Sequence, residues 1–61
     1  MSQINHMELE NLRHLIGGHD TAARKLQTYA QQCNDSELRQ MFQQSAQSAQ
    51  STRQKLMSFL Q

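Results

Sequence analysis

The chain has 61 residues and a formal net charge of +1, from six Lys and Arg against five Asp and Glu. A chain this short buries so little surface that it usually needs a disulfide, a metal or a partner to be stable. Its single cysteine, Cys33, excludes both an intrachain disulfide and a cysteine-rich metal framework. We therefore expect self-association, and the near balance of charge argues against nucleic acid or an anionic membrane as a partner.

The apolar runs are short. The longest are pairs such as Leu15-Ile16 and Ala22-Ala23, whereas a membrane span needs about 20 apolar residues. The first eight residues also have neither the basic leading region nor the apolar core of a signal peptide. We expect a soluble protein in a reducing, intracellular compartment.

The first predicted helix covers about residues 5–33. Proline is absent from the chain and residues that favour helix dominate. A series of residues, all apolar or small except His19, recurs alternately three and four positions apart, which is the spacing of one seam along a helix. The series is Leu9, Leu12, Ile16, His19, Ala23, Leu26, Ala30 and Cys33. Leu15, Ala22 and Tyr29 widen this stripe, which predicts a second partner surface.

The second predicted helix covers about residues 36–60 and repeats the pattern. Its seam is Leu38, Phe42, Ser45, Ala49, Thr52, Leu56 and Phe59, widened by Met41, Ala46 and Leu60. A short turn over residues 34–36 should make the two helices antiparallel neighbours.

The predicted fold is therefore all-α: a single domain over residues 1–61, an antiparallel two-helix hairpin that dimerises into a four-helix bundle. Two helices alone cannot cover both stripes. The residues predicted to form the core and the dimer interface are Leu9, Leu12, Leu15, Ile16, His19, Ala23, Leu26, Tyr29, Leu38, Phe42, Ala49, Leu56 and Phe59.

Two local features leave alternatives open. Asn34 suits the left-handed conformation that ends a helix, with Asp35 capping the next helix; alternatively, Asn34 is itself the cap and Glu37 completes a capping box. Gly17 and Gly18 would cost about 1–2 kcal/mol inside a helix. Because the stripe stays in phase across them, we favour one continuous helix over a break.

His19 is the first candidate site residue because it lies on the seam, in the middle of the predicted rod. Antiparallel pairing sets it near Thr52. A buried histidine needs a hydrogen-bond partner or a ligand. The favoured interpretation is a polar layer, in which His19 bonds to Thr52 or to a partner chain; metal binding or proton transfer is the alternative.

Two further candidates are weaker. His6, Glu10 and His14 are four residues apart on one helix face, a spacing that suits zinc, but they lie off the apolar seam, where solvated side chains are usual. Cys33 is interpreted as a small buried apolar residue near the turn, and pairing across a dimer interface is the alternative.

Tyr29-Ala30-Gln31-Gln32, then residues 34–39 (Asn-Asp-Ser-Glu-Leu-Arg) and Phe42, resemble the hairpin of the spore coat protein F family, a ferritin-like helical group of endospore-forming bacteria. The resemblance covers roughly residues 9–60. Longer relatives often have proline where this chain has Ser36, and they place a histidine where it has Ser51-Thr52-Arg53. The resemblance implies a structural component of a spore coat or a related assembly formed in sporulation, with no catalytic residues to transfer.

The function expected from the sequence is thus a non-enzymatic assembly protein that self-associates through its heptad stripes and takes no cofactor. Other coat or assembly proteins are further partners that the resemblance implies. The alternative is a small ferritin-like protein that binds metal through His19 or through the ladder of His6, Glu10 and His14.

Overall fold

The computed structural model describes residues 4–60. Helix α1 runs from His6 to Gln32, helix α2 from Ser36 to Met57, and a 3₁₀ turn, Ser58–Leu60, follows α2. None of the described residues lies in a strand. The all-helical prediction is confirmed, and the predicted helices differ from the observed ones by at most three residues at any end.

Helix α1 begins with a capping box that the sequence interpretation missed. The side-chain oxygen of Asn5 accepts a hydrogen bond from the Glu8 backbone N–H at 2.8 Å, and the Asn5 backbone N–H donates to Glu8 Oε1 at 3.0 Å. Each bond satisfies an N–H that the helix geometry leaves without a partner. The pattern Asn-x-x-Glu at residues 5–8 was the available signal.

Helix α1 is continuous through Gly17 and Gly18, as favoured from the sequence. Both glycines are exposed, and a Cβ atom added to either would meet nothing within 4 Å. No close contact within the hairpin therefore requires glycine at these positions.

The turn consists of Cys33, Asn34 and Asp35. Asp35 is the cap of α2, because its side-chain oxygen accepts a hydrogen bond from the Leu38 backbone N–H at 2.9 Å. No non-glycine residue among those described has a positive φ, so the left-handed conformation predicted for Asn34 is wrong. Helix α1 ends instead where Cys33 adopts an extended conformation, with φ −88° and ψ 129°.

The two helices pack against each other in antiparallel directions. Near the turn, the rings of Tyr29 and Phe42 lie with centroids 5.9 Å apart. Further from the turn, Asp20 approaches Arg53. Residues progressively further from the turn thus meet in pairs, as a hairpin requires, and the result is a rod with principal-axis extents of 45 × 16 × 11 Å.

The interior of the hairpin is thin, and three of its four buried residues are alanine. Leu12, Ala23, Ala30 and Ala46 are buried, and the flanking half-buried residues include Leu9, Ile16, Leu26, Phe42, Ala49 and Leu56. Alanine at the points of contact lets the helix backbones approach closely. No large side chain of the described residues is fully buried.

The inward seam of α2 departs from the predicted one in two ways: its end residues, Leu38 and Phe59, are 39% and 49% exposed, and two positions in its middle are taken by the following residue. Ala46 is buried where Ser45 was expected, and Arg53 is half-buried where Thr52 was expected; Ser45 and Thr52 are exposed. Both seams alternate by three and four residues, so spacing alone did not decide between them. Packing favours the methyl group of Ala46 over a hydroxyl that would need a hydrogen-bond partner.

Candidate functional site

The two broad faces of the hairpin differ in chemistry. Successive side chains of a helix are rotated by about 100°, so each helix has two sets of side chains that flank its inward seam, one set on either side. In the antiparallel hairpin, one set from α1 and one set from α2 lie together on each broad face. One face is polar and the other is apolar.

The polar face holds an open groove of ≈ 970 Å³ that we call the glutamine groove. Ala30 and Ala46 are buried at its floor, and Arg39 lies towards the turn end. Its other lining residues are Gln27, Gln31, Gln43, Gln47, Gln50, Ser51 and Gln54. Glutamines at three- and four-residue spacing were the sequence signal for it, but pairing of α1 with α2 was needed to bring the two sets together.

Asp20 connects the helices on the groove side. Its carboxylate lies 3.2 Å from Arg24 Nη2 on its own helix and 3.6 Å from Arg53 Nε on α2. The second distance corresponds to an ion pair but is too long for a hydrogen bond. Arg53 Nε is buried and has no hydrogen-bond partner among residues 4–60. Because both side chains are about one-third exposed, we expect a contribution of only about 0–1 kcal/mol.

The apolar face is formed by Asn11, Leu15, Gly18, Ala22 and Tyr29 of α1 with Leu38, Met41, Ser45, Thr52 and Phe59 of α2. The five large residues among them, namely Leu15, Tyr29, Leu38, Met41 and Phe59, are between 39% and 55% exposed. Four of these were predicted as core or dimer interface, and the single hairpin does not bury them. The other predicted residues, including His19, are buried or half-buried between the helices.

His19 does not bond to Thr52 within the hairpin, so this part of the prediction is wrong, whereas a bond from His19 to a partner chain stays a prediction. Its Nδ1 atom lies 2.8 Å from the carbonyl oxygen of Leu15 on its own helix. A carbonyl oxygen only accepts, so Nδ1 carries a proton in this contact. Within the hairpin, a bond inside α1 takes the place of the expected contact with Thr52, which lies on the exposed face.

His6, Glu10 and His14 are all exposed. Glu10 pairs with Arg13, with Oε1 and Nη1 3.5 Å apart. Across residues 4–60, no group of three or more His, Cys, Asp or Glu side chains is arranged to hold a metal ion.

Cys33 is half-buried at the turn and has a free thiol. Its Sγ atom lies 3.6 Å from the carbonyl oxygen of Asp35, a weak S–H donor contact. Its own carbonyl oxygen accepts two hydrogen bonds from Arg39. Arg39 was not predicted from the sequence as part of the turn.

In the described part of the chain, no helix combines the length and the apolar character that crossing a membrane requires. No protein-family model, curated protein or solved structure matches the chain.

Proposed function

We propose that this protein is a non-enzymatic assembly component that self-associates, as a homodimer, into a four-helix bundle. The observation that carries the proposal is the row of half-exposed large side chains on the apolar face. Singly scattered exposed apolar residues are normal on protein surfaces, whereas several large ones concentrated on one face indicate a binding site.

The surface area of the hairpin supports the same proposal. It exposes 4942 Å², whereas a compact monomer of 7.1 kDa is expected to expose about 4,100 Å². The radius of gyration is 14.2 Å, against about 10.5 Å for a compact chain of this length. A rod that exposes this much surface and fully buries no large side chain gains stability by covering part of that surface.

The assembly in which the dimer would act follows from the resemblance alone. The residues that carry the resemblance, Tyr29 and the segment from Asn34 to Arg39, surround the turn. A role in a spore coat or a related bacterial assembly is the proposal consistent with it.

Sedimentation equilibrium at micromolar concentration tests self-association. The expected result is a mass twice that of the chain, together with a melting temperature that rises with protein concentration because association stabilises the folded state. A folded monomer whose melting temperature is independent of concentration would overturn the proposal. Immunolocalisation during sporulation of the native host would test the proposed coat role separately.

A further inference from the structure

We propose that the apolar face binds a second copy of this chain, face to face about a two-fold axis, and leaves the glutamine groove open to solvent. This proposal deepens the proposed function and rests on it, because it assigns the interface to one of two available faces. The partner surface is the same face of the second copy, as two-fold symmetry requires.

The apolar side chains are concentrated on this face: it holds five of the eight large apolar residues that are exposed in the described part of the chain, and the other three are Met7, Met57 and Leu60. Large half-exposed residues lie at both of its ends: Tyr29, Leu38 and Met41 near the turn, and Leu15 and Phe59 at the open end. Covering them removes apolar surface from water at both ends of the rod, which is the main favourable contribution to association.

The middle of the apolar face suits a close approach. Ala22, Ser45 and Thr52 lie there, all small and all exposed, so a facing helix backbone meets no bulky side chain. Two-fold symmetry gives both copies the same arrangement, with large side chains at the ends of the face and small ones in the middle. The large side chains at the ends therefore meet large side chains of the second copy, in whichever direction the second rod points.

The size of the face matches what a stable dimer needs. Its backbone dimensions, 45 × 16 Å, correspond to about 700 Å² per copy, and a standard interface buries about 800 Å² per partner. Side chains extend beyond the backbone outline, so the whole face supplies about the area of a standard interface.

The opposite face is disfavoured for physical reasons. Its groove is lined by Gln27, Gln43, Gln47 and other glutamines, whose immobilisation costs more conformational entropy than that of most side chains. The ion pairs of Asp20 with Arg24 and Arg53 lie on that side as well, and interface cores are depleted in charged residues.

A matched pair of substitutions tests the assignment. Thr52→Arg adds a charge to the middle of the apolar face, and Gln54→Arg adds the same side chain two residues further along α2, about 200° around the helix, where Gln54 lines the groove. Both positions are exposed. We expect Thr52→Arg to weaken dimerisation about tenfold or more, because two-fold symmetry brings like charges together, and Gln54→Arg to leave it unchanged.

The outcomes of sedimentation equilibrium separate the two proposals. A wild-type dimer that Thr52→Arg dissociates and Gln54→Arg preserves supports the assignment. A wild-type dimer that Thr52→Arg leaves intact, or that Gln54→Arg dissociates, overturns the assignment while self-association stands. A folded wild-type monomer overturns both.

A second measurement covers the case in which Thr52→Arg fails to fold. In a Cys33→Ser background, Thr52→Cys and Gln54→Cys each place one small thiol on one face. Maleimide labelling should slow at Thr52→Cys as protein concentration rises through the dimerisation range, and stay constant at Gln54→Cys. Equal labelling rates at all concentrations, in a sample shown to dimerise, would overturn the assignment.

Discussion

The guanidinium group of Arg39 donates two hydrogen bonds to the carbonyl oxygen of Cys33, from Nε at 3.2 Å and from Nη2 at 3.0 Å. Cys33 is the residue that ends α1, and Arg39 lies in the second turn of α2. The contact therefore connects the two helices across the turn. It also gives hydrogen-bond donors to a carbonyl group at the end of α1, where the helix itself provides none.

Replacing Arg39 with alanine should lower the free energy of unfolding of the hairpin by about 1 kcal/mol. This is less than hydrogen bonds to charged groups usually contribute, because Arg39 is exposed to water. Urea denaturation at fixed protein concentration measures the change. Arg13→Ala is the control, since Arg13 pairs with Glu10 within its own helix and does so at the surface. Equal effects of the two substitutions would show that the turn contact adds nothing specific.

Gly17→Ala should stabilise the protein by about 1 kcal/mol, because Gly17 lies inside a continuous helix and alanine restricts the unfolded chain. The added Cβ has room, since nothing lies within 4 Å of its position. Thermal unfolding at fixed concentration should show a rise of about 4–8 °C for a domain of this size. A fall in melting temperature would contradict a continuous α1.

Asn5→Ala removes the side-chain acceptor of the capping box at the start of α1. The expected loss is about 1 kcal/mol, measured by thermal unfolding. Thr21→Ala is the control: Thr21 is exposed in the interior of the same helix, opposite the inward seam, where alanine is the better helix former, so stability should stay equal or increase. A neutral result for Asn5→Ala would indicate that the helix frays at this end.

Arg53→Met should leave stability unchanged or increase it slightly. Methionine keeps the unbranched apolar stem of Arg53. The substitution removes a buried Nε that has no hydrogen-bond partner among the described residues, and it loses only a partly exposed ion pair. Asp20→Asn is the companion variant, and it should cost less than about 1 kcal/mol, since Asp20 also pairs with Arg24. A loss of several kcal/mol for Arg53→Met in urea denaturation would mean that the ion pair is a main support of the hairpin.

Ala46→Leu should destabilise the hairpin by about 1–3 kcal/mol, because a larger side chain would push apart helices that meet through alanine. Gln47→Leu, at the next and exposed position, is the control for the change in helix propensity and should be close to neutral. Thermal unfolding of both variants tests whether Ala46, rather than Ser45, belongs to the inward seam.

The spacing of apolar residues determined much of the fold. Leu12, Ala23 and Ala30 lie inward as predicted, because a helix of 3.6 residues per turn places such residues on one side whatever packs against them. Asp35 as the cap of α2 follows from the same local chemistry, since its side chain reaches the backbone of its own helix. Helix continuity across Gly17 and Gly18 was also readable from the phase of the stripe.

Only the packing of the two helices decided the rest. Whether Ser45 or Ala46 lies inward depends on how α2 is rotated about its own axis. The residue pattern of α2 is compatible with both rotations. His19 bonds within α1, and the observed rotation places Thr52 on the exposed face. The glutamine groove and the apolar face depend on which sides of two separate helices come together, a relationship between distant residues that local spacing does not contain.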